Sequence, residues 1–212
     1  MSERQKFLLH SELKKETHEL HLTLHRDALM KTLMNKNECS LKNYTLILAT
    51  FYVYYTLAEE KFSTLQAEKF PNEASQKAWL ENDFKGLNIS LSAIHAYQTE
   101  LLDECRILET IKSSYDHYLG FLYVKQGSTL GAQVITQRIQ NYLGLNPATE
   151  ITMFSSYGEN TETNWQHFLT YLDTMAPKVA HSEVLFSACT HFESLAILFQ
   201  RAYQLRDNYV FQ

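Results

Sequence analysis

Hydrophobic positions recur at spacings of three and four along nearly the whole chain, and no stretch keeps the period of two that marks a half-buried strand. Over residues 4–34, Leu13, Thr17, Leu20, Leu24 and Ala28 share one face, while Lys14, Lys15, Glu16 and Glu19 lie mostly off it. Residues 35–40 are a polar break in which Ser40 is placed to cap the next helix. That helix is predicted over 41–69, with Tyr44, Ile47, Leu48, Phe51, Tyr55 and Phe62 on its inner side and Pro71 and Asn72 as its stop. A short piece, 73–84, carries Trp79, Leu80 and Phe84; Gly86 and Asn88 follow as punctuation, and Ser90 caps a helix over 91–104. The longest helix is predicted to start near Leu108 and to stop at Gly144 and Pro147. Residues 146–160 are the least regular part. Thr161 or Thr163 begins a helix that Ala176-Pro177 breaks, and a last helix runs from about 179 to 206. The pattern predicts a single all-α domain over 1–212, a bundle of seven or eight helices packed pairwise.

The longest helix has an unusual composition. Gly120, Gly127 and Gly131 fall within twelve residues of it, in a chain with six glycines. Each interior glycine costs a helix roughly 1 kcal/mol relative to alanine. Gly127 and Gly131 are one turn apart on one face, and Gly120, two turns before Gly127, shares that face. Ala132 adds another small side chain. A face without bulk serves either tight helix–helix packing or a ligand pressed against bare backbone, and the pattern leaves both open.

Composition narrows the possible partners. The net charge of −5 argues against nucleic acid, which calls for a basic face. The longest uncharged run, 43–58, is 16 residues with four tyrosines and three threonines, short of the roughly 20 apolar residues of a membrane span. The start, MSERQKF, lacks the apolar region of a signal peptide. Cys39, Cys105 and Cys189 are odd in number and scattered, which fits reduced thiols in a cytoplasmic protein.

Candidate chemistry concentrates in the first helix. His18, His21 and His25 follow one another at spacings of three and four and can share a side. Imidazole is the commonest protein ligand of transition metals and a frequent axial ligand of haem, although a histidine at a helix boundary more often only bonds a carbonyl or water. No Glu-x-x-His pair of a di-iron bundle, no phosphate-binding loop and no hydrolase motif is present. Cys189 and His191 are two apart on a helix and do not face each other.

Three stretches resemble the haem oxygenases. LKKETHELHLTLH at 13–25 is similar to that family's first helix, in which a Leu-Lys-x-x-Thr-x-x-x-His pattern ends in the histidine that binds haem iron. Here the pattern falls on Leu13, Lys14, Thr17 and His21. LGFLYVKQGSTLGAQVI at 119–135 resembles the distal helix of the bacterial branch, and YTLILATFYVYYTLAEEKF at 44–62 resembles the second helix. The resemblance is collinear over roughly 8–205. It implies haem between the first helix and the glycine helix, with iron on His21, Lys14 and His18 at the haem edge, and Gly127, Ser128 and Gly131 on the reacting side. It implies a monooxygenase that uses O₂ and electrons from a reductase to cleave haem, its cofactor and substrate, to biliverdin, CO and ferrous iron. A biliverdin acceptor would follow.

This sequence departs from the family's pattern at five places. Gln126 replaces a usual glutamate and Ala132 a usual glycine. Ser128 stands where animal members carry an aspartate that anchors the distal water network. His25 stands where a carboxylate often supports the proximal imidazole, and 164–175 has no Lys/Arg pair for the haem propionates. A non-catalytic haem-binding or sensor protein on the same scaffold is the alternative. A thiaminase-like or di-iron enzyme would need a nucleophilic cysteine or a carboxylate-rich centre.

Overall fold

The computed structural model describes residues 8–65, 69–71 and 73–211, and every regular element among them is helical. The elements are α1 (Leu8–His25), α2 (Ala28–Thr32), α3 (Leu41–Lys61), α4 (Gln76–Gly86), α5 (Leu91–Leu101), α6 (Tyr115–Leu143), α7 (Thr152–Ser155), α8 (Thr161–Met175) and α9 (His181–Leu205). Segments of 3-10 helix lie at Asp103–Thr110, Gly158–Asn160 and Ala176–Lys178. None of these helices is long and apolar enough to cross a membrane.

Serine side chains start four of them. Ser40, Ser75, Ser90 and Ser114 each accept a backbone N–H from the first turn of α3, α4, α5 and α6, satisfying a donor the helix cannot use itself. Gly144 ends α6 with φ +71°, a left-handed conformation that a side chain disfavours.

The structure corrects several predicted boundaries. The first predicted helix is two, because the Asp27 carboxylate accepts the N–H groups of Leu29 and Met30 at 2.8 and 3.2 Å and starts α2 afresh. The second stops at Lys61. Residues 4–7 of the first predicted helix, 66–68 of the second and Asn72 of its predicted stop lie outside the described residues. The predicted start of the glycine helix near Leu108 lies in 3-10 structure, and α6 begins only at Tyr115.

The long helix α9 is the axis of the fold, with α1, α3 and α6 laid against it. From Tyr44 to Tyr55, α3 is buried on all sides, which explains why its apolar pattern runs all round rather than along one stripe. Where α6 crosses α9, Gly120 allows the contact: a Cβ there would lie 2.5 Å from the Val184 carbonyl oxygen and 2.7 Å from the Ala188 nitrogen. Ser187 seals the crossing by donating its hydroxyl to the His117 carbonyl at 2.7 Å. Gly120→Ala is therefore expected to lower stability by about 2 kcal/mol, overpacking outweighing the gain in helix propensity. A denaturant titration reads it, and an unchanged midpoint would show that the crossing yields freely.

The irregular stretch 146–160 is held from behind. Tyr44 donates to the Glu150 carbonyl at 2.7 Å, and buried Asp83 accepts the Thr152 and Met153 N–H groups at 2.5 and 3.0 Å. These bonds fix the short α7 and present Met153 and Phe154 to the cavity described below.

His191, 1 % exposed, pairs its Nδ1 with the Tyr54 hydroxyl at 3.0 Å. Burial, with His117 nearby as a lesser cause, lowers its pKa to about 3. An unfolded histidine takes a proton near pH 6.5. Between pH 6.5 and about 3 the unfolded chain thus binds a proton that the folded chain refuses, and this site alone costs about 1.4 kcal/mol of stability per pH unit of acidification. His191→Gln should remove that slope. Denaturation midpoints of both proteins across this range measure it, and parallel pH curves would contradict it.

Candidate active site

A cavity of about 420 Å³ opens between α1 and α6, closed at the back by α3, α4 and α7 and flanked by α8 and α9. The size is ordinary for a cofactor pocket. Thr17 and Leu13 are buried beneath α1, and this register turns Lys14, His18, His21 and His25 to the cavity. Phe51, Phe154, Phe192 and Leu195 supply apolar wall from the other elements.

The three histidines of the first helix are brought together. His21 and His25 face each other Nε2 to Nε2 at 3.1 Å, their rings nearly perpendicular, and the His21 ring also lies edge-on to Phe192. Burial, reinforced by the neighbouring His25 and His18, pushes the His21 pKa down and favours the neutral imidazole, the form that ligates metal. A metal–nitrogen bond is about 2 Å long, so a metal on His21 Nε2 requires the His25 ring to turn aside. His25 is exposed and is the last residue of α1, so that rotation disturbs no packed neighbour.

The glycines divide by neighbour. A Cβ on Gly131 would meet nothing within 4 Å, and one on Gly127 only the Trp165 ring at 3.9 Å. Both line the cavity, with Ser128 and Ala132 beside them. Gly120 does not: on the same face of α6, it meets α9 instead. The single bare face expected of the three glycines is in fact two contacts, one with a helix and one with open space.

The cavity wall is basic rather than acidic. Lys14, His10, His18, His21 and His25 line it, and among the described residues no carboxylate does, in a chain whose net charge is −5. The walls therefore suit an apolar molecule that carries acidic groups.

The sequence matches the family model described as "Heme oxygenase" over residues 8–201. The chain belongs to the haem oxygenase family. The fold agrees. The heme oxygenase of Leptospira interrogans superposes with a TM-score of 0.67 at 20% identity, covering 91% of this chain and 98% of that one. Heme oxygenase-1 of the cyanobacterium Synechocystis, in complex with heme, superposes with a TM-score of 0.67 at 17% identity, covering 94% and 93%. No curated protein sequence matches the chain. The residues present fit a haem: an imidazole on α1 lines the cavity, α6 lines it with backbone without bulk, and among the described residues the wall carries basic groups and no carboxylate.

Other members of the site had no signal in the sequence. His10, one turn before Lys14, packs against Trp165 and Tyr123 at ring separations of 5.7 and 6.2 Å; its spacing from Lys14 was the available clue. Tyr55 and Gln76 reach the cavity from α3 and α4. Behind them Lys125, 2 % exposed, joins Glu59 at 3.1 Å and Glu73 at 2.6 Å. Glu59 also accepts the Ser75 hydroxyl at 2.6 Å and the Gln76 N–H at 2.8 Å, and Tyr118 donates to Glu73. This buried ionic cluster ties α6 to the end of α3 and the start of α4. Gln126, the departure beside it, accepts from Asn164 at 2.7 Å and so bonds α6 to α8.

The rival chemistries find no support. Among the described residues no three His, Cys, Asp or Glu are placed to hold a metal ion as a cluster. Burial pushes the Cys189 thiol up, away from a reactive thiolate, and His191 Nδ1 is engaged with Tyr54.

Proposed function

We propose that this chain binds haem between α1 and α6 and cleaves it, with O₂ and electrons from a separate reductase, to biliverdin, CO and ferrous iron. The observation that carries the reading is a neutral-leaning His21 facing a cavity whose opposite wall has no Cβ at Gly127 and Gly131. Haem, when bound, supplies both the iron at which O₂ is activated and the porphyrin carbon that is oxidised. The protein's part is positional. His21 Nε2 holds the iron. Lys14 and His18, with His10 added, meet the carboxylates at the haem edge. Gly127 and Gly131 keep side-chain bulk off the α6 side of the cavity and so leave room for a ligand on the iron, and Phe51, Phe154 and Phe192 give the wall its apolar surface.

Hemin titration of the apoprotein, followed by a reductant in air, tests this. A Soret shift, then loss of that band and growth of a biliverdin spectrum, is the expected sequence. A Soret band that persists under reductant and O₂ would assign a haem-binding protein without turnover, and no shift at all would overturn the reading.

A further inference from the structure

The cavity has a polar end that His21 ligation does not use. Gln76, the first residue of α4, is fully buried, and neither its amide oxygen nor its amide nitrogen has a partner among the described residues. Tyr55 is also buried, and its hydroxyl completes no hydrogen bond of good geometry among the described residues. Both line the same cavity. The hydroxyls beside them are already committed: Ser128 donates to the Lys125 carbonyl at 2.8 Å and Thr129 to the Gln126 carbonyl at 2.7 Å. The Ser128 oxygen, still free to accept, lies nearest to pairing with the Tyr55 hydroxyl, which makes Tyr55 the weaker candidate of the two.

A buried primary amide with every site unfilled is destabilising, and a leucine of similar size would avoid the penalty. The backbone that carries the amide is fixed. The Gln76 N–H is held by Glu59, which Lys125 and Ser75 hold in turn. Burial keeps Tyr55 a neutral donor by pushing its pKa far up. The cavity's basic side chains all come from α1, whereas this end, built from α3 and α4, offers only neutral donors and an acceptor. Neutral groups so arranged suit a small oxygen-bearing or diatomic-sized ligand rather than a carboxylate.

We propose that the Gln76 amide, seconded by the Tyr55 hydroxyl, is the hydrogen-bonding contact for a small ligand held on the iron, such as water, hydroxide or O₂. The assignment rests on the haem reading. Azide on the ferric haem complex is the probe, with Gln76→Leu and Tyr55→Phe as variants. Gln76→Leu should weaken azide binding roughly fivefold, the value of one neutral hydrogen bond, and Tyr55→Phe should weaken it by less. The apoprotein of Gln76→Leu should melt at or above the wild-type temperature, because an unpaired amide has been removed. A lower melting temperature with unchanged azide affinity would make Gln76 a structural residue and overturn the assignment. Unchanged azide affinity in both variants would overturn it alone, while failure of the wild type to take up hemin would overturn the haem reading and this contact together.

Discussion

His21→Ala should abolish the histidine-ligated ferric spectrum and weaken hemin binding by about a hundredfold. Losing only the partner behind a metal-bound histidine costs 10–100-fold in affinity, so losing the ligand belongs at the upper end or beyond. The fold should survive, because His21 stands at the cavity wall with its surface exposed, desolvated on one side only, and alanine is the best helix former. Optical titration with hemin measures both quantities. His25 makes the control necessary. Its Nε2 lies 3.1 Å from that of His21 and faces the same cavity, so it is the nearest substitute ligand. A histidine spectrum in His21→Ala that disappears in the double variant with His25→Ala would mean that His25 ligates. A spectrum untouched in both would overturn the placement of the iron on this helix end.

The second large effect is expected at Gly131. A side chain there enters open space, so Gly131→Phe should fold normally, even gaining some helix stability, while filling the volume over which a flat ligand must lie. Hemin uptake should be lost. The contrast with Gly120→Ala is the informative one: a methyl at Gly120 should cost stability and spare binding, whereas a ring at Gly131 should spare stability and cost binding. Normal hemin uptake and turnover in Gly131→Phe would show that close approach to the α6 backbone plays no part.

Much of the architecture follows from local rules. The 3.6-residue period identified the helices without a strand among them, and the caps at Ser40 and Ser90, the start at Thr161 and the stop at Gly144 lie where the sequence places them. The two caps depend on a side chain bonding within its own turn and the stop on one residue's φ, and such interactions are the same in any fold. The same rules missed the split at Asp27 and the 3-10 segment before α6, because apolar spacing continues through both while the backbone does not.

The candidate site was legible in part. Lys14, His18, His21, Gly127 and Gly131 could be singled out because their spacing on two helices carries meaning and because those motifs resemble a known family. Gln76 and Tyr55 could not. A buried glutamine matters only when every neighbour is known to be unable to pair with it, and Lys125 reads as a surface charge until Glu59 and Glu73 arrive from two other elements.

Residue spacing alone yields an all-α chain with a histidine-bearing first helix and a glycine-bearing long one. What each glycine is for depends on how the helices cross. Gly120, Gly127 and Gly131 share a face, but a helix of 1.5 Å rise per residue carries that face past different neighbours along its length. The first meets the backbone of α9, where a methyl does not fit, and the other two look into the space across from His21. Periodicity records which residues face the same way; only the crossing of other helices records what they face.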